Sequence, residues 1–210
     1  MSVRFLSFAL LSITIWVGGC SGSEILSQEG TSGTYQKTIA PFPVFDSSGT
    51  AMEHPFLGGF NAPRPQFVDI DSDGEPDLFL QENSNELMFF ENEDSNLSWR
   101  TDKYHDLDIG EWYRFADLDQ DGDMDVLTEK PYSYIRYYRN DGDPVKPDFT
   151  LVTDTLKDAD GEPIFSDRQN IPNVTDIDCD GKLDLFIGRL DGTITRYESV
   201  GRDERGVPQF

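Results

Sequence analysis

The 40 acidic side chains of this chain dominate the chemistry open to it, and some of them recur in a fixed pattern. The pattern is D-h-D-x-D-G-x-x-D, with h apolar. It occurs as Asp69, Asp71, Asp73, Gly74 and Asp77, as Asp117, Asp119, Asp121, Gly122 and Asp125, and as Asp176, Asp178, Asp180, Gly181 and Asp184. Carboxylates at loop positions one, three and five converge when the chain wraps around a centre, and Gly at six permits the sharp turn. The residue at seven (Glu75, Asp123, Lys182) can offer its backbone carbonyl, which leaves its side chain free to vary. The Asp at nine then closes the shell. Oxygen ligands alone select a hard cation. Ca²⁺ accepts six to eight of them in a flexible shell, whereas Mg²⁺ demands a rigid octahedron and keeps its waters. The expectation is therefore Ca²⁺ at about three sites, one per loop. Cys179, at position four of the third loop, is expected to point away from the ion.

An EF-hand begins in the same way but needs a Glu at position twelve and flanking helices. Position twelve is Leu80, Thr128 and Ile187, each inside a strand-like run, so that reading fails in every copy. A single loop of this kind could be a solvated Asp- and Gly-rich turn. Recurrence with unchanged spacing weighs against that. The expected role of the ion is structural, because it offsets the repulsion between gathered carboxylates.

Other chemistry is sparse. His54 and His105 each stand alone, and there is no G-x-S-x-G elbow, HExxH, P-loop or GxGxxG. The best-placed carboxylates are committed to metal, where a general acid's pKa would be lowered rather than raised. The chain thus reads as a non-enzyme. Trp99, Trp112, Tyr132, Tyr134, Tyr137 and Tyr138 can stack on sugar rings, with Arg136 and Arg139 nearby. Tyr137 or Tyr138 is expected in the core instead, and Trp112 is open to either role.

The elements that must position the loops are short strands. From Ile39 onward, apolar runs alternate with Pro, Gly, Asn and Asp clusters, and no stretch keeps a helical period. Three units align with one another, over about 67–93, 115–141 and 174–200. Each has an entry strand, the acidic loop, a second strand, a turn and an alternating third strand, and the spacer after it holds a further hairpin. A period of about 50 residues with four short strands is that of a propeller blade. The fold class is all-β, a β-propeller of four-stranded blades. A closed ring needs about four to eight blades. Only a partial further unit, between Tyr35 and Phe60, is visible, so an incomplete propeller is expected, with closure by assembly as the alternative.

The loops and their flanking strands resemble FG-GAP or VCBS-type repeats, the calcium-loop blades of integrin-α-like propellers. The resemblance runs from about Phe67 to Val200. It implies Ca²⁺ ligands at positions one, three, five, seven and nine. Those are Asp69, Asp71, Asp73, Glu75 and Asp77, then Asp117, Asp119, Asp121, Asp123 and Asp125, then Asp176, Asp178, Asp180, Lys182 and Asp184, with Glu75, Asp123 and Lys182 acting through the backbone carbonyl. It also implies a rigid display scaffold for adhesion, glycan binding or protein contact. A glycan-uptake component, or the N-terminal part of a larger secreted enzyme, are the alternatives.

The N-terminus reads as an address. Arg4 precedes the apolar run Phe5 to Val17, which is too short for a membrane span and fits a signal-peptide core. Val17-Gly18-Gly19-Cys20 resembles the bacterial lipobox. Residues 1–19 are then a lipoprotein signal peptide, and Cys20 is the lipidated N-terminus of a tether over 20–38. The domain follows over 39–210. Ser21 after the Cys suggests the outer membrane or cell surface. Cys179 is left without a disulfide partner. A net charge of −23 excludes phosphate-driven nucleic-acid binding. The expected partners are the membrane, through the anchor, and an extracellular protein or glycan.

Overall fold

In a computed structural model of the chain, residues 37–210 are described, apart from 144 and 169. The proposed signal peptide, Cys20 and nearly all of the tether lie outside them. The segment Ile39–Phe210 forms one compact unit. Its regular structure is all β among the described residues, apart from a single 3₁₀ turn at Tyr104–Asp106.

Two four-stranded antiparallel sheets repeat the same plan. In the first, β1 (Arg64–Val68), β2 (Asp77–Gln81), β3 (Met88–Glu93) and β4 (Asn96–Thr101) pair in sequence order. In the second, β5 (Tyr113–Ala116), β6 (Asp125–Lys130), β7 (Tyr134–Asn140) and β8 (Phe149–Thr153) do the same. The repetition extends to irregularities. The register shifts between Phe89 and Phe90 in β3, and between Tyr137 and Tyr138 at the matching place in β7. The third unit has three strands, β9 (Asn173–Thr175), β10 (Asp184–Gly188) and β11 (Ile194–Tyr197), followed by a hairpin of β12 (Gly201–Arg202) and β13 (Pro208–Gln209). Between residues 39 and 60 there is only the isolated bridge Phe45 to Ala51, so the partial unit expected there forms no sheet.

The middle sheet is covered on both faces, which its composition requires. Successive residues of β6 point to opposite sides. Val126 enters a cluster with Phe79, Ile109, Phe115 and Tyr138, while Leu127 enters a second cluster with Ile135, Leu156, Leu185 and Ile187. Both are fully buried. The repeat units therefore stack face against face like neighbouring blades. Aromatic rings fill the first interface, where Phe79 and Phe115 lie 4.3 Å apart between centroids. The outer face of the first sheet, with Leu80, Met88 and Phe90, is covered by Leu57 from the preceding segment.

Burial sorts the candidate stacking aromatics. Trp112 is 2% exposed and Tyr137 is completely buried, with Tyr138 close behind, so all three belong to the core. Trp99 is half-buried, and its indole N–H donates to Asp102. Tyr132, at 87%, is the freely exposed ring. Arg136 is held by Asp108 and Asp154, and Arg139 by Asp141. Both histidines are structural in their contacts: His54 Nε2 accepts from the Trp99 backbone N–H at 3.3 Å, and the His105 ring packs on Tyr104 and Phe149.

Candidate metal centres

Each acidic loop joins the first and second strands of its unit, so paired strands fix both of its ends. Within each loop two residues take the left-handed backbone conformation. At position six these are Gly74, Gly122 and Gly181, with φ of 93°, 104° and 85°. At position four they are Ser72, Gln120 and Cys179, with φ of 58°, 56° and 59°. Glycine adopts this region freely, whereas position four carries a side chain at some cost. The two reversals curl the loop around positions one, three and five.

The curl is locked by the carboxylates themselves. The N–H of Gly74, Gly122 and Gly181 donates to the position-one Asp at 3.1, 3.2 and 3.0 Å. The N–H at position seven donates to the position-five Asp at 2.8, 3.2 and 2.9 Å. As a result one carboxylate oxygen from each of Asp69, Asp71 and Asp73 lies within 4.8 Å of the others, and the same holds for Asp117, Asp119 and Asp121 and for Asp176, Asp178 and Asp180. Oxygens bound to one Ca²⁺ at about 2.3–2.6 Å stand at most about 5 Å apart, so each trio fits around a single ion.

The Asp at position nine is the most deeply buried member of each loop and is bonded into its own unit. Asp125, fully buried, accepts N–H bonds from Leu118 (3.1 Å), Asp119 (3.3 Å) and Asn140 (2.8 Å) and the hydroxyl of Tyr137 (3.0 Å). Asp77 accepts from Ile70 and Asn92, and Asp184 from Ser199. This residue ties the loop to its own unit's third strand or the turn after it. A carboxylate keeps further acceptor capacity while doing so.

Position seven differs in every copy. The Glu75 carboxylate turns outward and accepts the Ser95 N–H at 3.2 Å. Asp123 is 7% exposed, and its carboxyl stands against those of Asp121, Asp119 and Asp117. The Lys182 ammonium pairs with Asp180 at 3.2 Å.

Electrostatics shows what the clusters lack. Burial, and then the Asp71 and Asp73 charges, push Asp77 up to about 6. Asp123 is pushed up to about 6 by burial and then by Asp121, and Asp125 to about 7 chiefly by burial. Asp71 and Asp119 are raised by burial and then by their neighbours at position five. Buried oxygens Oδ1 of Asp69 and Asp123 have no hydrogen-bond partner. Unpartnered buried carboxylate oxygen is costly, and a cation at the centre would satisfy it. The residues of the first two loops therefore fit Ca²⁺. In the third loop, by contrast, the N–H and ammonium of Lys182 hold Asp180 below the usual carboxylate range.

Stacked antiparallel sheets, each with a nine-residue acidic loop between its first two strands, define an all-β repeat protein of blade type. In agreement, a family model described as an FG-GAP-like repeat matches residues 69–128, from the first Asp of the first loop into β6. No curated protein and no solved structure matches the chain.

Proposed function

We propose that the chain is a non-catalytic, Ca²⁺-stabilised propeller module for binding or scaffolding. It is held at a bacterial outer membrane or cell surface through lipid on Cys20. Residues 1–19 are its signal peptide, 20–38 its tether and 39–210 its repeat domain. The observation that carries this reading is the convergence of the position-one, -three and -five carboxylates in loops that link the first two strands of each blade-like unit. The ion joins the ends of two strands, and the stacked sheets hold the resulting surface rigid. Ligands present at 100 times their dissociation constant stabilise a fold by about 2.7 kcal/mol per site. For a domain of this size that raises the melting temperature by roughly 5–10 °C per site. Thermal melts of chelator-stripped protein with Ca²⁺, and with Mg²⁺ as control, test this. A rise with Ca²⁺ that Mg²⁺ does not match is expected, and equal melting in all conditions would overturn it.

Recognition of neutral carbohydrate is a second reading, and one feature favours it. A cavity of about 610 Å³ opens at the strand ends away from the acidic loops, lined by the β2–β3 and β6–β7 turns and by the segments before β5 and β9. Its lining includes Asn85, Glu129, Tyr132, Phe165 and Arg168. Its walls are pinned, since Gly110 N–H donates to Asn85 Oδ1 at 2.7 Å and Ser166 N–H to the Ser133 carbonyl at 2.8 Å. An exposed Tyr ring beside a carboxylate and an amide is the chemistry that holds a sugar ring. A glycan array should show binding that Tyr132→Ala abolishes. Binding that survives the substitution would remove this cavity from the account.

A further inference from the structure

The three loops share a sequence pattern but not a cation balance, and the difference comes from one cross-strand position. In the second strand of each unit, the residue two after the position-nine Asp is Phe79, Leu127 and Phe186. Their partners on the third strand are Phe89, Tyr137 and Arg196. The same register site thus holds an apolar ring, a neutral phenol and a guanidinium. Phe89 stacks on Phe79, and the Tyr137 hydroxyl donates to Asp125. Arg196 reaches into its own loop instead. Its guanidinium pairs with Asp178 at position three, and with Asp184 at position nine at 2.7 Å. Lys182 adds a second positive charge at position five through Asp180. None of the ion pairs among the described residues involves a carboxylate of the first or second loop.

We propose that the third loop is neutralised from within, Arg196 spanning two of the carboxylates a cation would bridge, so that Ca²⁺ binds the first two loops and is excluded from the third. The inference rests on the reading of the loops as Ca²⁺ sites. Its chemistry is competition. A fixed guanidinium forms bidentate, charge-assisted bonds with carboxylates and is held in place by its strand, so an incoming ion must displace it. The second loop gains a carboxylate instead, and the nearby Arg202 acts on Asp119 without forming an ion pair with it. Asp123 adds a fourth carboxylate there, with a buried oxygen that has no partner. Affinity should accordingly fall from the second loop to the first and collapse in the third.

Equilibrium dialysis of the full chain against radioactive calcium counts the ions directly. Two bound ions are expected. Asp117→Asn should lower that count, whereas Asp176→Asn should leave it unchanged. Arg196→Tyr installs the side chain of the second unit at an exposed position, and it should add a third ion, as should the milder Arg196→Gln. Three ions bound by the unaltered chain, or no gain in both Arg196 variants, would overturn the proposal while leaving the first two loops as Ca²⁺ sites. No ion bound by any form would instead remove the reading on which it rests.

Discussion

Asp125 offers the sharpest test of how the loops are built. Replacing it with Ala leaves four buried donors facing a void: the N–H groups of Leu118, Asp119 and Asn140 and the hydroxyl of Tyr137. Each unsatisfied buried donor costs about 1–3 kcal/mol. The contributions are not additive, and removing a buried anion offsets part of the loss. A net destabilisation of about 3–5 kcal/mol remains, in the range reserved for broken buried networks. Urea unfolding monitored by tryptophan fluorescence reads it. The loss should appear in chelator as well as in Ca²⁺, because the bonds are internal to the protein. Asp77→Ala should cost less, since among the described residues Asp77 accepts the Ile70 and Asn92 N–H groups alone, the former at 3.4 Å. A loss below about 1 kcal/mol for Asp125→Ala, or one seen only with Ca²⁺, would refute the view that position nine anchors the loop to its sheet.

Three further outcomes follow from the same geometry. Asp77 and Asp123 lie near 6 and Asp125 near 7, against an ordinary 3.8, so the folded chain without metal holds protons that the unfolded chain releases. Its stability is lowest above about pH 7 and rises as the pH falls through 7 and 6 towards 4, Asp125 alone accounting for on the order of 4 kcal/mol. Urea melts of stripped protein at pH 8 and pH 5 check this, and greater stability at pH 8 would contradict it. With Ca²⁺ present the trend should weaken or reverse, because protons compete with the ion. Gly110 sits at φ 62°, and a Cβ there would meet Glu129 Oε2 at 2.7 Å, so Gly110→Ala should destabilise by roughly 2 kcal/mol in the same assay. Trp112→Ala empties a fully enclosed site and should cost about 3–5 kcal/mol.

Much of this was legible in the sequence because the loop is a local object. Alternating Asp and a Gly at six encode a curl within nine residues, and the strand after each loop opens as a short apolar run (Leu78 to Leu80, Val126 to Leu127, Leu185 to Ile187). Those signals place β2, β6 and β10 without reference to the rest of the chain. What could not be read depends on partners distant in sequence. That position four is left-handed in all three loops is hidden by its unrelated occupants, Ser72, Gln120 and Cys179. The fates of Glu75, Asp123 and Lys182 depend on what faces them, which the loop pattern does not encode. Arg196 lies 20 residues beyond the start of its loop and reaches it only because β10 and β11 pair in one particular register. Trp112, read as open to either role, falls between stacked sheets because the second and third units close over it.

The central claim is that the trios of carboxylates hold Ca²⁺. A crystal structure grown in Ca²⁺, with anomalous difference density collected for the ion, addresses it directly. Peaks are predicted about 2.3–2.6 Å from oxygens of Asp69, Asp71 and Asp73 and of Asp117, Asp119 and Asp121, joined by the backbone carbonyls of Glu75 and Asp123. Ordered loops with water and no anomalous peak at saturating Ca²⁺ would contradict the account and leave the loops as carboxylate-locked turns.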